Sequence, residues 1–492
     1  MLKRVASPDV QGLTIGVAVL VAGLLIGGVF VVLDTSTYDL AGGLIVAPII
    51  IAISLPAFVR QARREGDPRV LKILIIALAV KLLGAAVRYY ITFYVYGSAD
   101  ANSYHREGLM ISQQLWGGTA FADLSLPGYG SIFEGTPFIS LLTGLVYSVI
   151  GPTKLGGFMV FSWLAFWGLF LFYRAFVIAV PEGRSRQYAF FLFFIPSLLY
   201  WPASLGKDSW MVFGLGIAAF GAARALSGTP LRGLVISALG LWLTAIVRPH
   251  IAAMFVLGLA VAFIVQRSPR TRGSLHPIAR IVGLAGIVVL AAILLSRTAE
   301  FLQVPSLNAS GVVGELEAVS ERSDYGGSEF DPTIVRSPAD LPLALVTVLY
   351  RPFPFEANNF LALAVSIEAL LLLCLTLGRL RWLWAAVKES RRQPFLILAL
   401  AYVGIFVVAF SSFPNFGLLV RERVQVLPFL LALLCVPPAP KNDMTRSGPP
   451  AARTTDKLLL GRRKIETVRE PLAAPPRSMV AEGGASAVRR RE

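Results

Sequence analysis

Long apolar runs, separated by short polar loops, constrain this chain more than any other feature. Most of them are about 17 to 25 residues long, and a helix needs about 20 apolar residues to cross the hydrocarbon core of a bilayer. A soluble fold would need polar surface to cover such runs, yet only 15% of the residues are charged and 55% are hydrophobic. The sequence therefore predicts an all-α, polytopic integral membrane helix bundle.

The runs predict about 12 or 13 membrane spans. We expect the first one to be a retained span and not a signal peptide, because no small-residue cleavage site follows it. The runs lie near residues 12–34, 40–59, 70–96, 137–150, 157–180, 188–204, 208–226, 231–248, 250–266, 278–296, 359–378, 394–413 and 423–437.

The formal net charge of +16 is concentrated in short loops and in the C-terminal tail. Basic loops favour the cytoplasmic side of a membrane, so this charge indicates topology and not nucleic-acid binding. The loop 60–72 places the N-terminus inside, and the basic loop 378–392 and the tail place the C-terminus inside. We expect a plasma (inner) membrane protein whose polar clusters face the external or periplasmic side.

Counting membrane crossings from the N-terminal end places Asp100 outside, and counting them from the C-terminal end places Asp208 outside. The runs between these two residues do not fit both placements. Three apolar runs separate them, at 137–150, 157–180 and 188–204, although an even number of crossings is needed. One run is therefore expected to be re-entrant or incomplete. The candidates are 137–150, which is short, and 188–204, which contains two prolines.

Composition divides the chain into five segments. From about residue 438 it is rich in Pro, Arg, Lys, Ala and Gly, which predicts a disordered basic tail. The segments are 1–69, with two spans and a basic cytoplasmic loop; 70–296, a membrane core with an external loop at 97–136; 297–358, an external loop or lid; 359–437, the C-terminal spans; and 438–492, the cytoplasmic tail.

The two cysteines, Cys374 and Cys435, lie inside apolar runs. Their positions indicate neither a disulfide framework nor a zinc site.

The first external loop begins with GSADANSYHREG, a polar cluster directly after a membrane run. In the following ANSYHREGLMISQQLWGG, the large apolar residues fall near one helical face. This pattern predicts an amphipathic helix on the outer membrane surface after the third span.

The pattern D-A-x-x-Y, a helix ending in W-G-G, then G-Y-G and a helix starting at T-P-F-I resembles the first external loop of the GT-C superfamily. These are multispanning glycosyltransferases that use polyprenyl-phosphate-linked sugars. The resemblance covers roughly residues 85–225 and implies that Asp100 is the catalytic base. It also implies a second acidic residue, for which FIPSLLYWPASLGKDSW offers Asp208. The additional spans before Asp100, where the family usually has a single one, depart from the family pattern.

Transfer of a sugar from a phosphate needs a base near the acceptor hydroxyl and cations near the phosphate. Asp100 and Asp208 are the candidate catalytic residues; the alternatives are a solvated loop carboxylate for Asp100, and a pair with Lys207 or a helix cap for Asp208. The candidate substrate-binding residues are Tyr104, His105, Lys207, Arg248, His250, Arg351, Glu356, Asn359, Asn415, Arg421 and Arg423.

The string RPFPFEANN has a second interpretation, as an interfacial anchor formed by Phe353 and Phe355. Inside the apolar runs, Lys81 and Glu368 are expected to pair across helices, because intramembrane charges usually find partners.

The sequence therefore favours an enzyme that transfers a sugar from a polyprenyl-phosphate donor to an acceptor glycan, lipid or protein, with membrane lipids and no nucleic acid as further partners. One alternative is a polysaccharide polymerase or ligase that uses undecaprenyl-diphosphate glycans, because those proteins share an external loop and external arginines. A second is a lipid-glycan flippase, although no internal repeat is evident. No cofactor is predicted; Asp123 and Glu134 are the carboxylates available to a divalent metal.

Overall fold

The computed structural model describes residues 38–97, 100–265, 276–302 and 330–438, and isolated residues between 12 and 27. Within these ranges all regular structure is helical, which confirms the all-α prediction. Six of the described helices are long and apolar enough to cross a membrane: Tyr38–Glu65, Pro68–Val95, Lys154–Ala179, Lys207–Leu226, Pro230–Val247 and Phe360–Gly378. The predicted first span, much of the external loop 297–358 and nearly all of the tail 438–492 fall outside the described residues.

The helices are named here in chain order, and short single turns are left without a label. They are α1 (Tyr38–Glu65), α2 (Pro68–Tyr90), α3 (Asp100–Trp116), α4 (Gly135–Ile150), α5 (Lys154–Ala179), α6 (Ser185–Phe194), α7 (Pro196–Tyr200), α8 (Lys207–Leu226), α9 (Pro230–Val247), α10 (Pro249–Val265), α11 (His276–Leu302), α12 (Leu341–Tyr350), α13 (Phe360–Gly378), α14 (Leu380–Glu389), α15 (Pro394–Phe410), α16 (Phe416–Arg423) and α17 (Leu427–Leu433).

Helix starts follow from local sequence. Asp67 accepts a hydrogen bond from the Arg69 backbone N–H, and Thr153 accepts one from Gly156, so both side chains cap the first turn of the helix after them. Proline occupies the first position of α2, as of several other helices, where its missing N–H costs no hydrogen bond.

Helix α8 lies at the centre of the bundle, and 78% of its most apolar 18-residue stretch is buried. Glycines let its neighbours approach closely: a Cβ on Gly216 would lie 2.2 Å from the carbonyl oxygen of Gly168 on α5. On the other side, a Cβ on Gly221 would lie 2.2 Å from the backbone nitrogen of Ser237 on α9. Small residues at helix contacts are typical of membrane bundles. They hold α8, whose first turn carries Lys207 and Asp208, between two long helices.

Polar contacts gather at two opposite ends of the bundle. Helix α2 and the π-helical turn that continues it span 28 residues, or ~42 Å. At its start, Asp67 pairs with Arg186 at 2.6 Å. The predicted cytoplasmic loop 60–72 thus contacts the first turn of α6 at one end of α2, and Asp100 follows the other end.

Helix α3 forms where the amphipathic surface helix was predicted. Its buried face holds Ala101, Tyr104, Gly108 and Ile111, and Gly108 packs against Thr143 of α4. Trp116 remains exposed on another face. The position of α3 on the outer surface of a membrane stays a prediction.

The apolar run 188–204 does not form one helix. Helix α6 ends at Phe194, Ile195 adopts an extended conformation, and α7 covers only Pro196–Tyr200 before an irregular stretch leads to α8. By contrast, the run 157–180 is continuous in α5. The break agrees with the proline positions in the sequence; which run fails to cross the membrane stays a prediction.

Lys81 and Glu368 do not pair with each other, so that hypothesis was wrong about the partner. The Lys81 ammonium donates to the carbonyl oxygens of Leu198 at 2.7 Å and Leu199 at 3.2 Å. Glu368 Oε2 accepts from the Ser197 backbone N–H at 2.9 Å. Both charges therefore bind backbone groups of α7 that the helix break leaves unpaired, because such groups are costly to bury in an apolar medium.

This arrangement predicts that reversing both charges will not restore the protein. Lys81→Glu or Glu368→Lys alone should lower the free energy of unfolding by about 3 kcal/mol. In the double reversal, a carboxylate would face the carbonyl oxygens and an ammonium would face the N–H, so the losses should persist. Expression and thermal unfolding in detergent measure this, with Lys81→Arg as the control that keeps the donors. Recovery in the double reversal would show a direct ion pair.

Candidate functional site

Arg421 joins two aspartates from distant parts of the chain. Its Nε lies 2.5 Å from Asp208 Oδ2 in the first turn of α8, and its Nη1 lies 3.3 Å from Asp100 Oδ2 at the start of α3. The partners are 213 and 321 residues from Arg421 in sequence. The structure thus brings together both predicted catalytic carboxylates and one of the predicted phosphate-binding arginines.

The three side chains differ in their exposure to solvent. Asp208 is 3% exposed, Arg421 is 21% exposed and Asp100 is 62% exposed. The negative charge of Asp208, above all, raises the pKa of Arg421, against the opposing effect of burial. Arg421 is therefore a permanent cation, held from the inside by Asp208 and contacted from the outside by Asp100.

Asp208 has neither of the two alternative roles considered from sequence, a pair with Lys207 or a helix cap. Its ion pair is with Arg421 and not with Lys207, and no side chain caps the start of α8. Its second oxygen, Oδ1, is buried without a hydrogen-bond partner in the described part of the chain. A buried carboxylate with one oxygen on Arg421 is arranged to orient that guanidinium.

A second arginine lies beside the first. Arg248, at the end of α9, pairs with Glu422, the residue after Arg421. Gln425 donates to the same Glu422 oxygen. Sequence reasoning missed Glu422, although its place in the string V-R-E-R-V, between two candidate arginines, was the available signal.

Lys207 and Tyr104 complete the group. The half-buried Lys207 ammonium interacts electrostatically with the arginines 248 and 421 and with both aspartates, and forms no ion pair with a described residue. Tyr104 lies one turn after Asp100 and is 2% exposed. Burial and the nearby aspartates raise the pKa of its hydroxyl, so it keeps its proton and remains a hydrogen-bond donor. We call Asp100, Tyr104, Lys207, Asp208, Arg248, Arg421 and Glu422 the Arg421 cluster.

The two candidate histidines have different surroundings. His105 Nδ1 lies 2.8 Å from the Tyr147 hydroxyl, and burial, with the nearby Lys154 cation, lowers its pKa. His105 is therefore largely neutral at pH 7. His250 stands in the first turn of α10, two residues after Arg248.

Arg351, Glu356 and Arg423 have structural partners. Arg351 Nε donates to Glu356 Oε1 at 2.9 Å, and its guanidinium carbon lies 4.6 and 5.0 Å from the ring centres of Phe330 and Phe416, which stack on each other. The buried Arg423 donates to the carbonyl oxygens of Val348 and of Arg351. These contacts tie the segment before α13 to α16, and they do not bring these three residues into the Arg421 cluster.

Asn359 and Asn415 act as helix caps. Asn359 Oδ1 accepts from the Ala362 backbone N–H at 2.8 Å, and Asn415 Oδ1 accepts from Leu418 at 3.1 Å. Their side chains stabilise the first turns of α13 and α16. Asn415 thereby fixes the helix that carries Arg421.

The described residues contain no group of three His, Cys, Asp or Glu side chains that could hold a metal ion. The side chains of the Arg421 cluster are carboxylates, a tyrosine hydroxyl and cations. Comparison of the chain with models of known protein families, with characterised proteins and with solved structures finds no match.

The Asp208–Arg421 pair predicts a specific pattern of stability. Arg421→Met should lower the free energy of unfolding by about 3 kcal/mol, because it leaves a buried carboxylate without a counter-charge. Adding Asp208→Asn should recover part of this loss, since a neutral amide needs no cation. Thermal unfolding in detergent provides the measurement.

The control for this series is Arg392→Met, which removes an exposed arginine with a weak contact to Glu389. It should change the free energy of unfolding by less than about 0.5 kcal/mol. A double variant no more stable than Arg421→Met would contradict the assigned role of Asp208.

Proposed function

We propose that this protein is a membrane glycosyltransferase that moves a sugar from a polyprenyl-phosphate donor to an acceptor glycan, lipid or protein on the non-cytoplasmic face. The observation that carries the proposal is the shared Arg421: a fixed cation between one buried and one exposed carboxylate, at the end of a helix bundle of membrane-spanning dimensions. A donor with an apolar chain and an anionic headgroup matches both properties.

The cations of the cluster suit a departing phosphate. As the bond between the anomeric carbon and the phosphate oxygen breaks, the electron pair stays on that oxygen, and fixed positive charge lowers the barrier. Arg421 offers a guanidinium fork that matches phosphate oxygens, and Lys207 adds an ammonium without an ion-pair partner among the described residues. The Tyr104 hydroxyl supplies a donor beside them.

Asp100 suits the role of base. It is the exposed carboxylate of the cluster, so an acceptor hydroxyl can reach it, and its contact with Arg421 is 3.3 Å, longer than that of Asp208. A donor phosphate competes with Asp100 for Arg421 and frees the carboxylate to take the acceptor proton. Direct attack by the acceptor oxygen then inverts the anomeric carbon, as the resemblance to the GT-C superfamily implies.

Asp208 has a different role in this mechanism. Its burial and its short contact with Arg421 favour a positioning function over proton transfer, because a base must reach the acceptor hydroxyl. The basic residues of the loop 60–72, which contacts Arg186 at the far end of α2, support an orientation with that end in the cytoplasm, and we propose the same side for both termini.

The mechanism predicts that Asp100→Asn will lower sugar transfer at least about 100-fold, because the amide cannot accept a proton. The assay is transfer in proteoliposomes from a polyprenyl-phosphate monosaccharide. Glu182→Gln removes an exposed carboxylate outside the cluster and should leave the rate unchanged.

A parallel assay with a polyprenyl-diphosphate oligosaccharide separates the alternatives. Transfer from this donor alone, surviving Asp100→Asn and lost in Arg421→Met, would contradict the proposal and indicate a polymerase or ligase. Absence of transfer from both donors, with movement of the lipid glycan across the membrane, would indicate a transporter.

The proposed orientation predicts which thiols can be labelled from outside. In a Cys374→Ser background, Ser131→Cys in the exposed loop after α3 should react with an impermeant maleimide on intact cells. Arg392→Cys at the basic end should react only after permeabilisation. The reverse pattern would place the Arg421 cluster in the cytoplasm.

A further inference from the structure

One face of α2 is built to hold the short helix α7. Lys81, Gly84 and Arg88 follow each other at the spacing that places residues on one side of a helix. Lys81 binds the carbonyl oxygens of Leu198 and Leu199, and a Cβ on Gly84 would lie 3.1 Å from the latter oxygen. We call these three residues the α2 stripe.

Arg88 extends the same contact towards the end of α7. Its guanidinium carbon lies 4.4 Å from the ring centre of Tyr200 and 4.8 Å from that of Trp201. The α2 stripe therefore contacts consecutive residues from Leu198 to Trp201. A cation, a close backbone approach and an arginine on two aromatic rings leave this segment little freedom relative to α2.

Glu368 holds α7 from another helix. Its carboxylate accepts the N–H of Ser197 at the start of α7, whereas the Lys81 ammonium binds carbonyls nearer its end. A negative charge at the start of a helix and a positive charge at its end both interact favourably with the helix dipole. Lys81 is buried and Glu368 is partly buried, both on long apolar helices, where ionisable residues are costly and are usually retained for function.

The segment after α7 leads directly to the Arg421 cluster. Ala203 and Leu205 are buried, and Leu205 packs against Gly157 of α5 so closely that a Cβ there would lie 2.9 Å from it. The Ser209 hydroxyl donates to the Ser204 carbonyl oxygen at 3.0 Å. A displacement of α7 therefore reaches Lys207 and Asp208 through buried residues with no exposed loop to absorb it.

We infer that Lys81 and Glu368 are positioning residues that set the orientation of Lys207 and Asp208, and through Asp208 that of Arg421, for binding a lipid phosphate. This inference deepens the proposed function and rests on it for the identity of the ligand. The claim that Lys81 and Glu368 fix the start of α8 through α7 depends only on the geometry described above.

The first test measures binding of undecaprenyl phosphate to the protein in nanodiscs. Lys81→Met should weaken binding about tenfold, and Lys81→Arg, which keeps the donors, should stay within about threefold of the wild type. Because Lys81 acts through Asp208 in this inference, adding Lys81→Met to the Asp208→Asn variant should weaken binding of undecaprenyl phosphate by less than about a further twofold. Independent, additive losses would overturn the inference.

The second test does not depend on the ligand. Backbone hydrogen exchange across residues 197–209 should become faster in Lys81→Met and in Glu368→Ala than in the wild type, because the start of α8 loses its anchor. Tyr173→Phe is the matched control, since it removes a buried hydroxyl contact to Glu65 outside the cluster. Unchanged exchange in the first two variants would overturn the inference.

The two tests separate failure of the inference from failure of the proposed function. Faster exchange in the variants, when the wild-type protein binds no undecaprenyl phosphate, would support the positioning role and refute the lipid-phosphate ligand. Weaker binding without faster exchange would support the ligand and overturn the positioning role.

Discussion

The ion pair between Asp208 and Arg421 is the interaction on which the site depends. A carboxylate with 3% exposure at the start of a central helix is costly to ionise unless a cation lies against it. That requirement fixes α16 against the first turn of α8, although 213 residues separate them. Once Arg421 is fixed, its outer edge determines where Asp100 finds a positive charge to face.

The presence of several arginines near α16 does not by itself indicate which of them could bind a phosphate. Arg351 is occupied by Glu356 and two phenylalanine rings, and Arg423 by backbone carbonyls. Both stabilise the fold around α16, and a guanidinium whose donors are already used in this way has less to offer an incoming anion. Arg421 keeps an edge towards the exposed Asp100, and Lys207 has no ion-pair partner among the described residues, so these are the two cations that we propose bind the phosphate.

Sequence patterns predicted the helices better than the site. Run length and the positions of Pro196 and Pro202 gave the helical class and the irregular run, because those are local properties. The candidate list included Asp100, Asp208 and Arg421, yet no spacing rule could join residues hundreds of positions apart. The error over Lys81 and Glu368 has the same origin. The sequence shows two charges inside apolar runs, but their partners are backbone atoms left unpaired by a helix break, and only the fold reveals those.

The same geometry explains why one cluster holds two aspartates. A carboxylate that orients a cation must be buried and tightly bound, and both conditions keep an acceptor hydroxyl away from it. A carboxylate that accepts a proton must be reachable and loosely held, as Asp100 is at 62% exposure. One residue cannot satisfy both requirements, so the mechanism that we propose gives the two roles to residues on different helices. Arg421 couples them, because any anion that displaces Asp100 must bind the guanidinium that Asp208 holds in place.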